Sequence, residues 1–293
     1  MINHTKGDLH MKLIALDLDG TLLSSKNEIS AENVGAIKEA QQKGHIVMIC
    51  SGRAPESVQA VLDKAGIDCP FAASNGSVAV AEGKKIHEVS MDTSTLLKTL
   101  AILDEQHLPY RVYTNQGIYV PSSWDSRVTS LLQSSDFPDH YRHDEHFDRM
   151  LEHPKGFEQV TPFSEPSFFS NHSSLTVQKM FILAFSPVQK EKLRAQLEKM
   201  NTLGITSSAS FNLEVMSPNG HKGTGISVMA NHFGIPMEHT VAIGDNYNDV
   251  PMFEVAGLSI AMGNGEKDIQ EMCDVVTKTE DEHGVAYALN HLI

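Results

Sequence analysis

Apolar residues run unbroken in short blocks near both ends of the chain and alternate with polar ones through the middle. KLIALDL (12–18), HIVMIC (45–50), PFAAS (70–74) and TVAIGD (240–245) are blocks of the first kind. They predict strands covered on both faces, as in a parallel sheet. Ser30 can cap a helix through AENVGAIKEAQQKG that stops at Gly44, and APESVQAVLDKAG (54–66) reads as a second helix, with Pro55 near its first turn and Gly66 at its end. Strand, helix, strand, helix, strand is a doubly wound α/β signature. SVAVA and KKIHEV, joined by Glu82-Gly83, predict a hairpin.

The texture changes after about residue 88. STLLKTLAILDEQ reads as a helix, YRVYTNQGIYV as a hairpin turning at Asn115, Gln116 and Gly117, and LTVQKMFILAF (175–185) as a strand. VQKEKLRAQLEKM is amphipathic and helical, and ITSSASFNLEVMS reads as one or two strands. Residues 134–174, rich in Ser, Pro, His and Phe, have no clear period. The α/β texture resumes near Gly220: TGISVMANHFG is a helix ending at Gly234, VPMFEVAG a short helix, and LSIAMGNG and DVVTK strand-and-turn units. The expected organisation is a Rossmann-like, doubly wound core (1–86 and 217–293) interrupted by an inserted α+β domain (87–216).

The 293 residues suffice for two domains and a sizeable core. A formal net charge of −14 argues against nucleic-acid binding, which needs a basic face, and against an anionic membrane surface. A small anionic substrate is compatible with this charge if a metal ion and a few cations sit in the site. Cys50, Cys69 and Cys273 are scattered with no metal-binding or disulfide spacing, so reduced thiols in a cytoplasmic protein are expected. Residues 1–10 lack an apolar stretch and read as a floppy extension, with Met11 a possible start. No stretch approaches the length of a membrane span.

In an open parallel sheet ligands bind beyond the carboxyl ends of the strands. Four polar clusters fall there: Asp17-Leu18-Asp19-Gly20-Thr21, Ser51-Gly52-Arg53, Ser74-Asn75-Gly76, and Gly244-Asp245-Asn246-Tyr247-Asn248-Asp249. Together they imply one shared site. The acids Asp17, Asp19, Asp245 and Asp249 would repel one another unless a hard cation neutralised them, and oxygen ligands suit Mg²⁺. A metal beside Lys222, Arg53 and a serine hydroxyl is suited to holding a phosphoryl group.

DLDGTLL, SGR, the lysine of HKG and GDNYNDVPM, in that order, resemble motifs I to IV of the haloacid dehalogenase superfamily. SNG and the insertion between motifs II and III resemble its Cof-type branch with a C2 cap. Ser51 stands where threonine is common, and NGHKG replaces a more usual small-residue run. The resemblance implies a Mg²⁺-dependent phosphatase acting on phosphomonoesters of small metabolites such as sugar phosphates, flavin mononucleotide or pyridoxal phosphate. It implies Asp17 as the nucleophile that forms an aspartyl-phosphate and Asp19 as the acid that protonates the leaving alcohol and then deprotonates water. Asp17, the backbone carbonyl of Asp19 and Asp245 would hold Mg²⁺, with Asn248 and Asp249 completing or orienting the shell. Ser51 and Lys222 would bind phosphoryl oxygens, with Gly52, Asn75, Gly20 and Thr21 also at the phosphate. Arg53 would bind phosphate or pair with a core acid.

Lys222 could be a surface lysine at a helix start. His140, His143 and His146, in DHYRHDEHFD, fit a solvated cap surface better than a metal site. Phe163, Phe168 and Phe169 fit a cap core better than a stacking platform. A sugar phosphomutase of the same superfamily and a non-catalytic phosphometabolite-binding protein are the alternatives. A membrane pump shares the first motif but lacks an acid at the Asp19 position and needs membrane spans. A monomer or small homo-oligomer is expected.

Overall fold

A computed structural model describes residues 11–143, 147, 151 and 160–293. The expectation for residues 1–10 and that for His146 lie outside them.

The first strand, β1 (Leu13–Leu16), shows why the apolar runs are unbroken. Ile14 and Leu16 point to one face of the sheet, Leu13 and Ala15 to the other, and all four are fully buried. Chain order continues with α1 (Ala31–Gln42), β2 (Ile46–Cys50), α2 (Pro55–Ala65), β3 (Phe71–Ala73), β4 (Val78–Ala81) and β5 (Lys84–Glu88). Ser30 caps α1 by accepting a hydrogen bond from the Asn33 amide, and Gly66 closes α2 in the left-handed conformation.

The chain then enters a second sheet. Its elements are α3 (Thr93–Glu105), β6 (Tyr110–Thr114), β7 (Gly117–Pro121), α4 (Trp124–Gln133), β8 (Val160–Phe163), α5 (Ser167–Asn171), β9 (Val177–Leu183), α6 (Pro187–Glu198), β10 (Gly204–Thr206) and β11 (Asn212–Met216). It returns through α7 (Lys222–Phe233), β12 (Thr240–Gly244), α8 (Val250–Phe253), β13 (Leu258–Ala261), α9 (Lys267–Met272), β14 (Val275–Val276) and α10 (Gly284–His291).

The first sheet has the order β14-β13-β12-β1-β2-β3-β4-β5, parallel from β14 to β3 and antiparallel beyond. One face is covered by residues of α1, α2 and α10, the other by α7, α8 and α9. This is the doubly wound α/β core expected. The register sets Leu16 beside both Ile243 and Ile49, so β1, β2 and β12 end level with one another. That alignment brings the acidic and hydroxyl clusters together.

The second sheet has the order β10-β11-β9-β6-β7-β8, with only β7 and β8 parallel. Alternation divides its faces. Val112, Met180, Ile182, Leu213 and Val215 pack under α3 and α6. Tyr113, Lys179, Phe181 and Glu214 take the other face and line a cleft against the ends of the first sheet. Phe163 and Phe169 are buried in the second sheet's core with Phe168 packed against them, while His140 and His143 are exposed. ITSSASFNLEVMS resolves into two paired strands. The helices α4, α5, α9 and α10 and the strand β8 go beyond what the pattern predicted. Among the described residues no helix is long and apolar enough to cross a membrane.

Candidate active site

Asp17 follows the last residue of β1, and its amide donates to the Ile243 carbonyl at 3.0 Å, fixing the first acid against β12. Lys222 is the first residue of α7, which starts two positions before the sequence pattern indicated because His221 caps it by accepting the Thr224 amide. Its ammonium donates to Asp17 Oδ1 at 2.5 Å and to Asp249 Oδ1 at 2.6 Å. Lys222 is 0% exposed, which removes the surface-lysine reading. The other oxygen of Asp249 accepts from the backbone amides of Asp245 and Asn246 at 2.9 and 3.0 Å. Gly244 must be glycine here, because a Cβ would sit 2.4 Å from the Asp249 carboxyl carbon.

Asp245 Oδ1 accepts from the Thr21 hydroxyl at 2.7 Å. Gly20 has φ +79°, and a Cβ there would lie 2.5 Å from Asp245 Oδ2. The Gly20-Thr21 turn, expected at the phosphate, is therefore fitted around the Asp245 carboxylate. Asp19 faces solvent and is gripped at both oxygens by Arg53, at 2.9 Å through Nε and 2.5 Å through Nη2. Arg53 does pair with an acid, but with the exposed Asp19 rather than with one in the core.

Ser51 is fully buried, and its hydroxyl accepts the Arg53 amide at 3.2 Å. Asn75 is brought to the same spot but does not aim its amide donors there. Asn75 Nδ2 donates to Glu214 of the second sheet, while Oδ1 accepts from Asn248 Nδ2 at 3.4 Å. Gly52 lies beneath this group, where a Cβ would come 2.9 Å from Asn75 Oδ1 and 3.4 Å from Lys179 Nζ.

The electrostatics are those of a site short of positive charge. Burial pushes the Asp17 carboxyl well above its usual range, and Asp249 and Asp245 add to this against the pull of Lys222. Asp245 is raised to about 7, first by burial and then by Asp249, with the Thr21 hydrogen bond and Lys222 opposing. For Lys222 burial works against the charge, yet Asp17 and Asp249 win and its pKa rises. Oxygens of Asp17, Asp245 and Asp249 all lie within 4.8 Å of one another. Among the described residues, Asp17 Oδ2 and Asp245 Oδ2 accept no hydrogen bond. Two such oxygens on buried carboxylates, facing a single ammonium, fit a hard divalent cation. Both oxygens of Asp249 are already taken, so it suits holding the set in place.

The site opens into a cleft of about 250 Å³ between the two sheets, lined on the far side by Tyr113, Lys179, Phe181, Phe211 and Glu214. Sequence reasoning missed this wall. The available signal was a charge inside each of two strands, Lys179 in VQKMFIL and Glu214 in NLEVM.

A family model described as haloacid dehalogenase-like hydrolase matches residues 14–289. Phosphatase YwpJ of Bacillus subtilis is 34% identical over 303 residues, covering 97% of this chain and 100% of its own. A second Bacillus subtilis protein, 5-amino-6-(5-phospho-D-ribitylamino)uracil phosphatase YwtE, is 32% identical, covering 97% and 98%. Among solved structures, a haloacid dehalogenase-like hydrolase from B. subtilis superposes with a TM-score of 0.84 at 31% identity, covering 97% of this chain and 100% of that one.

Proposed function

The chain belongs to the haloacid dehalogenase-like hydrolases, in their Cof-type branch, and is a phosphatase; from there we propose that it hydrolyses phosphomonoesters of small metabolites with Mg²⁺ through an aspartyl-phosphate on Asp17. The observation that carries this reading is the buried Lys222 ammonium clamped between Asp17 and Asp249, beside two carboxylate oxygens free for a cation.

Asp17 and Asp245 would hold Mg²⁺, with Asp249 and Thr21 orienting the acids and Asn248 and the Asp19 carbonyl nearby. The ion would supply neutralisation of the phosphoryl oxygens. The Asp17 carboxylate attacks phosphorus as the ester oxygen leaves, and Asp19 gives that oxygen its proton. Asp19 then takes a proton from the water that cleaves the acyl phosphate and regenerates Asp17. Lys222 meets the charge that develops on the transferring group, and the Ser51 hydroxyl and Gly52 amide would add hydrogen bonds to it. Arg53 holds both oxygens of Asp19 in this structure, so the acid has to turn from that pair toward the ester oxygen before it can carry the proton.

Residues 87–216 act as a cap on a core formed by 1–86 and 217–293. The cap excludes bulk water and selects the leaving group. Its aromatic wall of Tyr113, Phe181 and Phe211, with the polar Ser208 and Asn212, suits a leaving group that carries both hydroxyls and a planar ring. The phosphoribitylamino-uracil in the name of one relative has that chemistry. Three free thiols fit a cytoplasmic setting.

The test is phosphate release from a panel of sugar phosphates, flavin mononucleotide, pyridoxal phosphate and phosphoribityl compounds, with Mg²⁺ and with EDTA, beside Asp17→Asn. Release that needs Mg²⁺ and vanishes in the variant is the expected result. Undiminished release by folded Asp17→Asn would remove the mechanism.

A further inference from the structure

Ser74, Asn75 and Gly76 all have positive φ, at 50°, 57° and 91°. Two neighbouring non-glycine residues in the left-handed region need an external hold. The backbone supplies part of it, since the Ser74 amide donates to the Arg53 carbonyl at 2.7 Å and the Asn75 amide to the Ser51 carbonyl at 2.9 Å. The rest comes from the inserted sheet. Ser74 Oγ donates to Gln178 Oε1 at 2.7 Å, and Asn75 Nδ2 donates to Glu214.

Glu214 is 2% exposed and reaches two further partners, accepting from Lys179 Nζ at 2.9 Å and from Ser208 Oγ at 3.1 Å. An ionised carboxylate only accepts. It therefore fixes which way the Asn75 amide is turned: the nitrogen faces Glu214, and the oxygen faces Gly52 and Asn248 Nδ2.

We propose that Glu214 is a positioning residue for the phosphoryl site. By orienting Asn75 it sets Asn248 and the Ser51-Gly52 turn, so the core reaches its working geometry only with the inserted sheet seated. This rests on the phosphatase reading above. Glu214 touches neither the reacting phosphorus nor the leaving group in this role. Its loss lowers turnover whatever the leaving group is.

The experiment is done in a Lys179→Met background, which removes the cation and so leaves no buried charge unpaired when Glu214 is also neutralised. Glu214→Gln then keeps an acceptor for Asn75, and Glu214→Leu removes it. Both double variants and Lys179→Met alone are assayed with Mg²⁺ on p-nitrophenyl phosphate and on glucose 6-phosphate. The Leu double variant is expected to lose about tenfold or more in kcat relative to the Gln one, by the same factor on both substrates, with KM changed less than about twofold. Equal kcat in the two double variants overturns the proposal. So does a loss confined to KM or to one substrate, which would make Glu214 a leaving-group contact. If the Leu variant does not fold, Asn75→Ala breaks the same link from the core side. The same kcat loss there supports the proposal, and unchanged kcat overturns it. A wild-type protein that hydrolyses no phosphomonoester at all overturns the phosphatase reading itself, a result distinct from an active protein indifferent to residue 214.

Discussion

Lys222 Nζ lies 2.5 Å from Asp17 Oδ1, and neither side chain has appreciable contact with solvent. One ammonium is thereby set between the carboxylate proposed to attack phosphorus and Asp249, whose other oxygen is held by two backbone amides. Lys222→Met is expected to lower kcat on the order of 10²-fold or more, as the loss of one transition-state charge partner does. It should also lower thermal stability, because Asp17 and Asp249 are left buried without their cation. Steady-state kinetics and a thermal melt check the two effects; an unchanged rate would put phosphoryl binding elsewhere.

Burial, and after it Asp249 and Asp245, raise the Asp17 carboxyl against the pull of Lys222. Asp17→Asn is expected to abolish turnover without lowering the melting temperature in EDTA, since it removes one of three mutually repelling acids. Circular dichroism melts beside the activity assay decide this. A large destabilisation would mean that the Asp17 carboxylate holds the fold together beyond its proposed chemical role.

Mg²⁺ should stabilise the wild type in a concentration-dependent way, by about 2.7 kcal/mol at a hundredfold excess over its dissociation constant. Asp245→Asn removes one of the two free oxygens and should suppress most of that gain, even where no substrate is present. Melts over a Mg²⁺ titration read this without reference to catalysis. An equal gain in both proteins would move the ion away from Asp245.

Away from the site, Asp92 caps α3 by accepting the Thr95 amide at 3.0 Å and the Ser94 hydroxyl at 2.8 Å. Hydrogen bonds from Thr95, side chain and backbone, and from Ser94 hold its carboxyl down at about 2. A carboxylate whose folded pKa is depressed stabilises the fold above its unfolded value near 3.9 and loses that contribution as pH falls toward the folded one. Asp92→Ala is expected to cost about 1 kcal/mol at pH 7, with the difference from wild type shrinking between about pH 4 and pH 2. Urea unfolding across that range measures it.

The residues most legible in the sequence were those that end apolar strands. Asp17, Ser51 and Asp245 each follow a run that can only be a buried strand, and a parallel register then sets them level. Lys222 was legible as an isolated lysine before a helix, although its burial was not, since that depends on Asp17 lying 205 positions away. The Arg53–Asp19 pair was hidden for the same reason, because a loop-to-loop contact leaves no periodic trace. Lys179 and Glu214 were hidden differently. They sit inside strands whose neighbours are apolar, so the runs read as plain core. Only the alternation of the second sheet, with Met180 and Ile182 under helices and Lys179 and Phe181 on the bare face, explains charges there. Asn75 was found but its direction was not, because an amide's orientation is decided by its acceptor, here Glu214.

The chain leaves the first sheet after β5 and returns just before α7, and the two crossings touch. The Val89 amide donates to the Ser77 carbonyl at 2.8 Å, and a Cβ on Gly220 would strike Ser77 Oγ at 2.5 Å and meet Val89 Cγ1 at 3.5 Å. Exit and re-entry at one point make the intervening stretch a cassette. Its length and contents can drift without changing the strand order, register or acid cluster below. A descendant could exchange the aromatic wall for another and acquire a new metabolite while keeping the same hydrolytic engine. The exchange is conditioned at the seam: whatever replaces β9 and β11 must still present acceptors to Ser74 and Asn75.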